Sequence, residues 1–343
     1  MAELWFTALA ITLVAFSVLD GFDFGAGALS LVLAKTDAER RAVIAAIGPF
    51  WDGNEVWLLA AGGVLFLAFP SVLAAAFPAF YLALFLVLWC LILRGIALEV
   101  RSHVTDAMWR ALWDVVFAVA SGLLALLFGV ALGNVVRGVP VRDGGFTLAF
   151  FTDFTPSGEV GLLDWYTVSV GLVALVALLA HGAAFLTYRT EGPLRERARR
   201  FERRLWIAGG VLFVLVTAET VSVRPELFAS LARRPLAWVF SLFAIAGIAA
   251  GARAYQRGND RLGFVASSAV VGGMLAATAA ALYPTMLYST LDPARSITAP
   301  EALTAPYGLG VAVAWWPVAL ILALAYLAFN FRSNQEKIRI SSN

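Results

Sequence analysis

Apolar residues in this chain form runs of twenty or more, separated by short polar connections, with neither the alternation of a strand nor the stripe of a surface helix. A run of that length crosses a hydrocarbon core of about 30 Å as an α-helix. Windows between charged or Pro/Gly-rich breaks place spans near 4–33, 49–69, 72–100, 112–136, 163–188, 205–223, 235–254, 262–287 and 307–331. The pattern predicts an all-α integral membrane protein of about nine transmembrane helices in a bundle, organised as a single polytopic domain over 1–343.

Composition agrees with a lipid solvent: 61% of the 343 residues are hydrophobic, 14% are charged and the mean hydropathy is +0.83. No basic residue precedes the first apolar run, so that run is expected to be a retained span and not a cleaved signal. The net charge of +2 matters less than its distribution. Alternate connections (35–41, 101–110, 189–204, 253–261 and the tail from Arg332) carry 18 of the 25 Lys/Arg, the opposite set carries six, and Arg94 lies inside a span. Basic loops stay in the cytoplasm, so the N-terminus is expected outside and the C-terminus cytoplasmic. The segment from Arg189 to Arg204, with seven arginines, reads first as a topology anchor and would also meet anionic lipid heads.

Ionisable residues inside the spans are costly, about 2.5–3.5 kcal/mol each at the bilayer centre, and so mark protein- or water-facing positions. Asp20 and Asp23 share one face of the first span, beside the close-packing pair Gly21 and Gly25. The second span opens with Gly48-Pro49-Phe50-Trp51-Asp52-Gly53-Asn54-Glu55-Val56-Trp57, where Asp52 and Glu55 again share a face. The third ends with Arg94 and Glu99, and the fourth begins near Asp114. The alternating topology puts Asp20, Asp23, Asp52, Glu55, Arg94, Glu99 and Asp114 toward the same half of the bilayer, where they can converge. Two readings stay open: a structural network in which Arg94 neutralises carboxylates, and a hydrated route along which carboxylates pass protons. Trp57, with Trp51, Phe50, Phe66 and Phe69, forms either an apolar passage for a small neutral gas or ordinary packing.

Cofactor chemistry is constrained by scarcity. The chain has two histidines (His103, His181), one cysteine (Cys90) and four methionines, too few soft ligands in register to hold several haems. A diiron Glu-xx-His pair, a phosphate-binding glycine loop and a basic nucleic-acid face are all missing from the sequence. No metal or cofactor is expected on this chain, and no nucleic-acid partner. If the protein takes part in redox chemistry, a partner carries the cofactors. A proton-coupled transporter would also bury carboxylates, though it would show interrupted helices in two matching repeats.

Leu19 to Gly27 (LDGFDFGAG), Ile47 to Leu58 (IGPFWDGNEVWL), Gly62 to Pro70, Arg94 to Arg101, Trp109 to Asp114 and Gly133 to Pro140 (GNVVRGVP) resemble the signatures of subunit II of cytochrome bd-type quinol oxidases. Ile297 to Ala302 departs from that family's pattern. The resemblance implies a heterodimer with a haem-bearing subunit I that holds haems b and d, in the bacterial cytoplasmic membrane, with room for small accessory subunits. It implies quinol oxidation coupled to reduction of O2 to water, with protons drawn from the cytoplasm. It further implies a proton route through the aspartate at Asp52 with Asp23 nearby, and an oxygen passage bordered by Trp57; the reading of costly intramembrane residues adds Asp20, Glu55 and Glu99 as candidates for the route, with Arg94 as their charge partner.

Overall fold

The computed structural model describes residues 1–142 and 145–339. Its helices are α1 (Ala2–Leu33), α2 (Asp37–Ile47), α3 (Trp51–Ala68), α4 (Pro70–Ala79), α5 (Tyr81–Val100), α6 (Ala107–Arg137), α7 (Trp165–Arg189), α8 (Gly192–Val223), α9 (Glu226–Arg233), α10 (Pro235–Arg257), α11 (Asp260–Leu282), α12 (Ala299–Ala302) and α13 (Pro306–Ser333). Among the described residues, eight helices are long and apolar enough to cross a membrane, and nine spans result if α3 and α4 count as one bent span. That bend is 119° and falls at Phe69-Pro70, where proline lacks the N–H that would continue the ladder of α3. The span expected over 72–100 is therefore two helices, and only α5 has the length of a crossing.

α1 is the axis of the bundle, packed against α3, α6, α7 and α11. Its first four turns bury a single stripe (Trp5, Ala8, Thr12, Phe16), but every residue from Leu19 to Gly27 is buried. A helix enclosed on all sides needs small residues wherever a neighbour's backbone comes close. Gly25 and Gly182 supply them at the α1–α7 crossing: a Cβ on Gly25 would overlap the Leu178 carbonyl, and one on Gly182 would overlap the backbone of Gly25 and Ala26.

The connections sort by end as the charge pattern requires. At the basic end, Arg101 bonds Asp114 at 2.5 Å and Asp37 at 2.7 Å, Arg40 bonds Asp114 at 3.0 Å, and Arg195 and Lys337 share Asp260 at 2.8 Å. Arg197 pairs with Glu39, and the tail closes on α7 through Ile338 N–H donating to the Arg189 carbonyl at 2.8 Å. At the other end, fully buried Arg137 pairs with Asp164 and donates to the Gly161 carbonyl at 3.1 Å, while Asn134 donates to Leu162 at 3.0 Å. There β1 (Thr285–Leu287) pairs antiparallel with β2 (Ile297–Thr298), a small addition to the expected all-helical fold. In the stretch that departs from the family's pattern, Thr298 and Glu301 form a capping box for α12, which accounts for the glutamate locally.

The clamp on α2 is sensitive to acid. Burial works to raise the Asp37 carboxyl, but the hydrogen bond and charge of Arg101, with Arg110 and Arg41, outweigh it and hold the group below its ordinary 3.8. Burial of Glu39 is likewise outweighed, by the Lys35 N–H, Arg197 and the Thr36 N–H, so it sits below 4.5. Groups depressed in the fold stabilise it fully above their unfolded values, and that contribution is lost as pH falls through the folded ones. Amide protection factors across 34–48, the exchange rates corrected for intrinsic pH dependence, are therefore expected to be constant above about pH 5 and to fall below about pH 4. Flat protection between pH 5 and 3 would remove these ion pairs from the account of the clamp.

Candidate functional site

In the inner reach of α1, the period of α3 decides which polar residues enter the core. Asn54, Trp57, Ala61, Val64 and Ala68 recur every three or four residues and are the buried face of α3. Asn54 on that stripe donates to Asp23 Oδ2 at 2.7 Å and to the Leu19 carbonyl at 3.1 Å. Glu55, one position round the helix, keeps 27% of its side chain exposed and accepts from Arg94 at 2.5 Å. Asp52 lies on the far side of the stripe with Val56 and Leu59 and is exposed.

Arg94 comes from α5, whose buried positions are Cys90, Arg94, Ala97 and Leu98. Its guanidinium has no exposed surface, binds Asp20 Oδ1 at 2.7 Å and Glu55 at 2.5 Å, and lies 4.6 Å from the Phe24 ring centroid. Asp20 and Asp23 are also enclosed, at 0% and 1% exposure. Among the described residues, Asp20 Oδ2, Asp23 Oδ1 and Arg94 Nε find no protein partner. Buried polar atoms left open in this way are the usual seats of ordered water.

The seven ionisable positions that the topology places in one half thus resolve into two clusters and two outliers. Asp20, Asp23, Glu55 and Arg94 meet in the core; Asp114 instead joins Arg101, Arg40 and Asp37 at the basic end. Asp52 and Glu99 are exposed and outside both. Asn54, which ties Asp23 to α3, escapes a search by charge but stands on the apolar stripe of α3. Trp57 is buried in the same core cluster as Phe22, Phe24 and Phe50, whereas Phe66 is exposed.

The histidines do not fit haem ligation. His181 Nε2–H donates to the Val18 carbonyl at 2.9 Å, Nδ1 lies 2.7 Å from Ser267 Oγ, and the ring stacks on Phe264 at 5.4 Å. Both nitrogens are engaged. His103 is exposed at the end of α5 and its Nδ1 contacts the Glu99 carbonyl at 2.7 Å. Among the described residues, no group of three or more His, Cys, Asp and Glu is placed to hold a metal ion.

A chain with a polar cluster of this kind round one buried arginine has relatives among known proteins. The protein "Probable cytochrome oxidase subunit 2" of Haemophilus influenzae is 31% identical over 96% of this chain and 92% of its own length. The cytochrome bd ubiquinol oxidase subunit 2 of Bacillus subtilis is 30% identical over 90% of this chain and 88% of its own. The Escherichia coli K12 bd-I subunit 2 is 39% identical over 57% of this chain and 51% of its own. In fold, a chain of the bd oxidase structure from Geobacillus thermodenitrificans superposes with a TM-score of 0.76 at 20% identity, covering 96% of this chain and 97% of that one. The profile of cytochrome bd terminal oxidase subunit II matches residues 1–333. The chain is a multi-pass membrane subunit of a quinol oxidase complex, and it belongs to the cytochrome bd terminal oxidase subunit II family.

Proposed function

We propose that this chain is the haem-free half of a heterodimer with the haem-bearing subunit I, and that it supplies that partner with protons for reduction of O2 to water. The observation that carries the reading is the graded set of carboxyls along α3 and α1. Asp52 is exposed at the start of α3, Glu55 follows one turn inward at 27% exposure, and Asp20 and Asp23 lie fully enclosed around Arg94. One guanidinium faces several carboxyls in a medium that tolerates little net charge, and intramembrane sets of this kind mark proton routes. Groups that exchange protons under such conditions are suited to relay them. The chain contributes no haem ligand in this reading; the haems of subunit I supply the electron chemistry. Trp57, buried beside the cluster, borders the passage for O2.

The basic end faces the cytoplasm in this reading, because it gathers 18 of the 25 Lys/Arg, and the N-terminus is outside. Quinol protons leave on one side and oxygen-reduction protons enter from the other. Turnover is then electrogenic, storing about 2.3 kcal/mol for each charge moved against 100 mV. Asp52→Asn is the test, because the residue is exposed and its loss leaves the core ion pairs intact. Turnover and charge movement in liposomes are expected to fall together by roughly tenfold or more, with the haem spectrum unchanged. Unchanged charge movement would remove Asp52 from the route. A proton-coupled transporter would instead show substrate uptake by this chain without a pigmented partner.

A further inference from the structure

We propose that the outer face of α8 at the basic end is a seat for an anionic phospholipid, with its phosphate at Arg200, Arg203 and Arg204 and an acyl chain in the groove that follows. The seven arginines between Arg189 and Arg204 divide by what they touch. Arg189 donates to the Asn334 and Glu336 carbonyls, Arg195 binds Asp260, Arg197 binds Glu39 and the Leu33 carbonyl, and Arg199 donates to the Tyr255 carbonyl at 2.5 Å. Those four tie elements together. Arg200, Arg203 and Arg204 are exposed, and among the described residues no carboxylate lies within ion-pair reach of them. Arg203 rests 5.6 Å from the Tyr255 ring centroid on α10, which adds exposed Arg253 and Arg257 to the same end. Of the nearby acids, exposed Glu196 makes no ion pair with Arg200, and Glu202 turns toward Gly263 of α11.

Cations alone would suit any phosphate, and the surface next to them narrows the choice. Residues 200, 203, 204 and 207 share one face of α8, and the same face continues as a groove lined by Trp206, Ile207, Gly210, Val211, Val214 and Leu215. Gly210 is open: a Cβ there would meet nothing within 4 Å. From Arg204 to Leu215 the helix rises about 16 Å, close to half of a 30 Å hydrocarbon core and hence to one leaflet. A charged head above an apolar lane one leaflet deep matches the shape and charge of a phospholipid with a net negative headgroup, and a free phosphate would leave the lane unused.

The intact oxidase containing this chain, placed in nanodiscs of phosphatidylcholine with a minor share of phosphatidylglycerol, provides the test, with retained lipid read by native mass spectrometry. The wild-type complex is expected to retain phosphatidylglycerol in preference to phosphatidylcholine. Each arginine near the surface contributes roughly fivefold, so Arg200→Gln/Arg203→Gln/Arg204→Gln should lower that preference by about tenfold or more. Gly210→Leu keeps every charge and fills the groove, and it should release the retained lipid as well. Haem absorbance confirms assembly in both variants, whose changed side chains all face outward. Unchanged retention in either variant would overturn the proposal, as would displacement of the lipid by inorganic phosphate at equal concentration. Charge movement is not the readout, so a failure here leaves the role of Asp52 untouched.

Discussion

Arg94→Met is expected to remove most of the assembled oxidase from the membrane. The substitution leaves a side chain of similar length on α5 and takes away the cation that, alone among the described residues, pairs with Asp20 and Glu55 inside the bundle. Removing one partner of a buried pair costs about 3–5 kcal/mol, because the surviving charge keeps its desolvation penalty and loses the attraction that offset it. Asp20 is the more exacting partner: it has no exposed surface and its Oδ2 is already without a protein donor. Haem absorbance per milligram of membrane protein should fall severalfold, and the surviving complex should unfold at a lower temperature. Adding Asp20→Asn and Glu55→Gln to Arg94→Met removes the orphaned charges, and assembly should return in large part. If the triple variant assembles and still turns over slowly, the carboxyls serve proton transfer as well as structure. Full turnover in it would confine them to a structural network.

The long apolar runs made the helical membrane bundle legible, and the division of Lys/Arg among alternate connections grouped those that lie together at each end. Both follow from solvent physics that acts residue by residue: lipid admits satisfied backbone only, and basic loops stay on one side. The candidate site was legible as a list of costly residues and less so as a geometry. Asp52 and Glu55 do share a face of α3, but that face lies beside the stripe of Asn54, Trp57 and Ala61 that enters the core, and of the two only Glu55 reaches the cluster, through Arg94. The stripe is written in the sequence, at spacings of three and four, yet charge draws the eye to the carboxylates and away from the neutral amide that contacts Asp23. Glu99 has the same explanation, since it lies off the Cys90, Arg94, Ala97 and Leu98 stripe of α5. Asp114 pairs with Arg101 and Arg40 away from the core cluster, and that pairing depends on how far α2 folds back over α6, which no local pattern records. The turn at Pro70 is legible as the break between the spans near 49–69 and 72–100, whereas the break at Phe80 between α4 and α5 is hidden, because the sequence is apolar on both sides and hydropathy continues through it.

Gly182→Val should be as damaging as the loss of Arg94 although it alters no charge and touches no carboxylate. α1 and α7 cross with backbone against backbone, and a Cβ on Gly182 would overlap Gly25 and the Ala26 nitrogen. The obstacle is main chain, which has no rotamer to yield, so the helices must separate along the length that encloses Asp20 and Asp23. Overpacking of this kind costs typically 1–3 kcal/mol in soluble cores and more where the clash is with backbone. In lipid no hydrophobic drive pulls the separated helices back, because their association rests on close packing itself. The wild-type complex and Gly182→Val are to be compared with Gly62→Ala, where the added methyl meets nothing within 4 Å on α3. Gly62→Ala should leave haem content and thermal midpoint unchanged, whereas Gly182→Val should lose most of the haem-bearing complex. Equal assembly of the two variants would show that the α1–α7 crossing does not hold the cluster together, and the enclosure of Asp20 and Asp23 would then have to come from the other neighbours of α1, namely α3, α6 and α11.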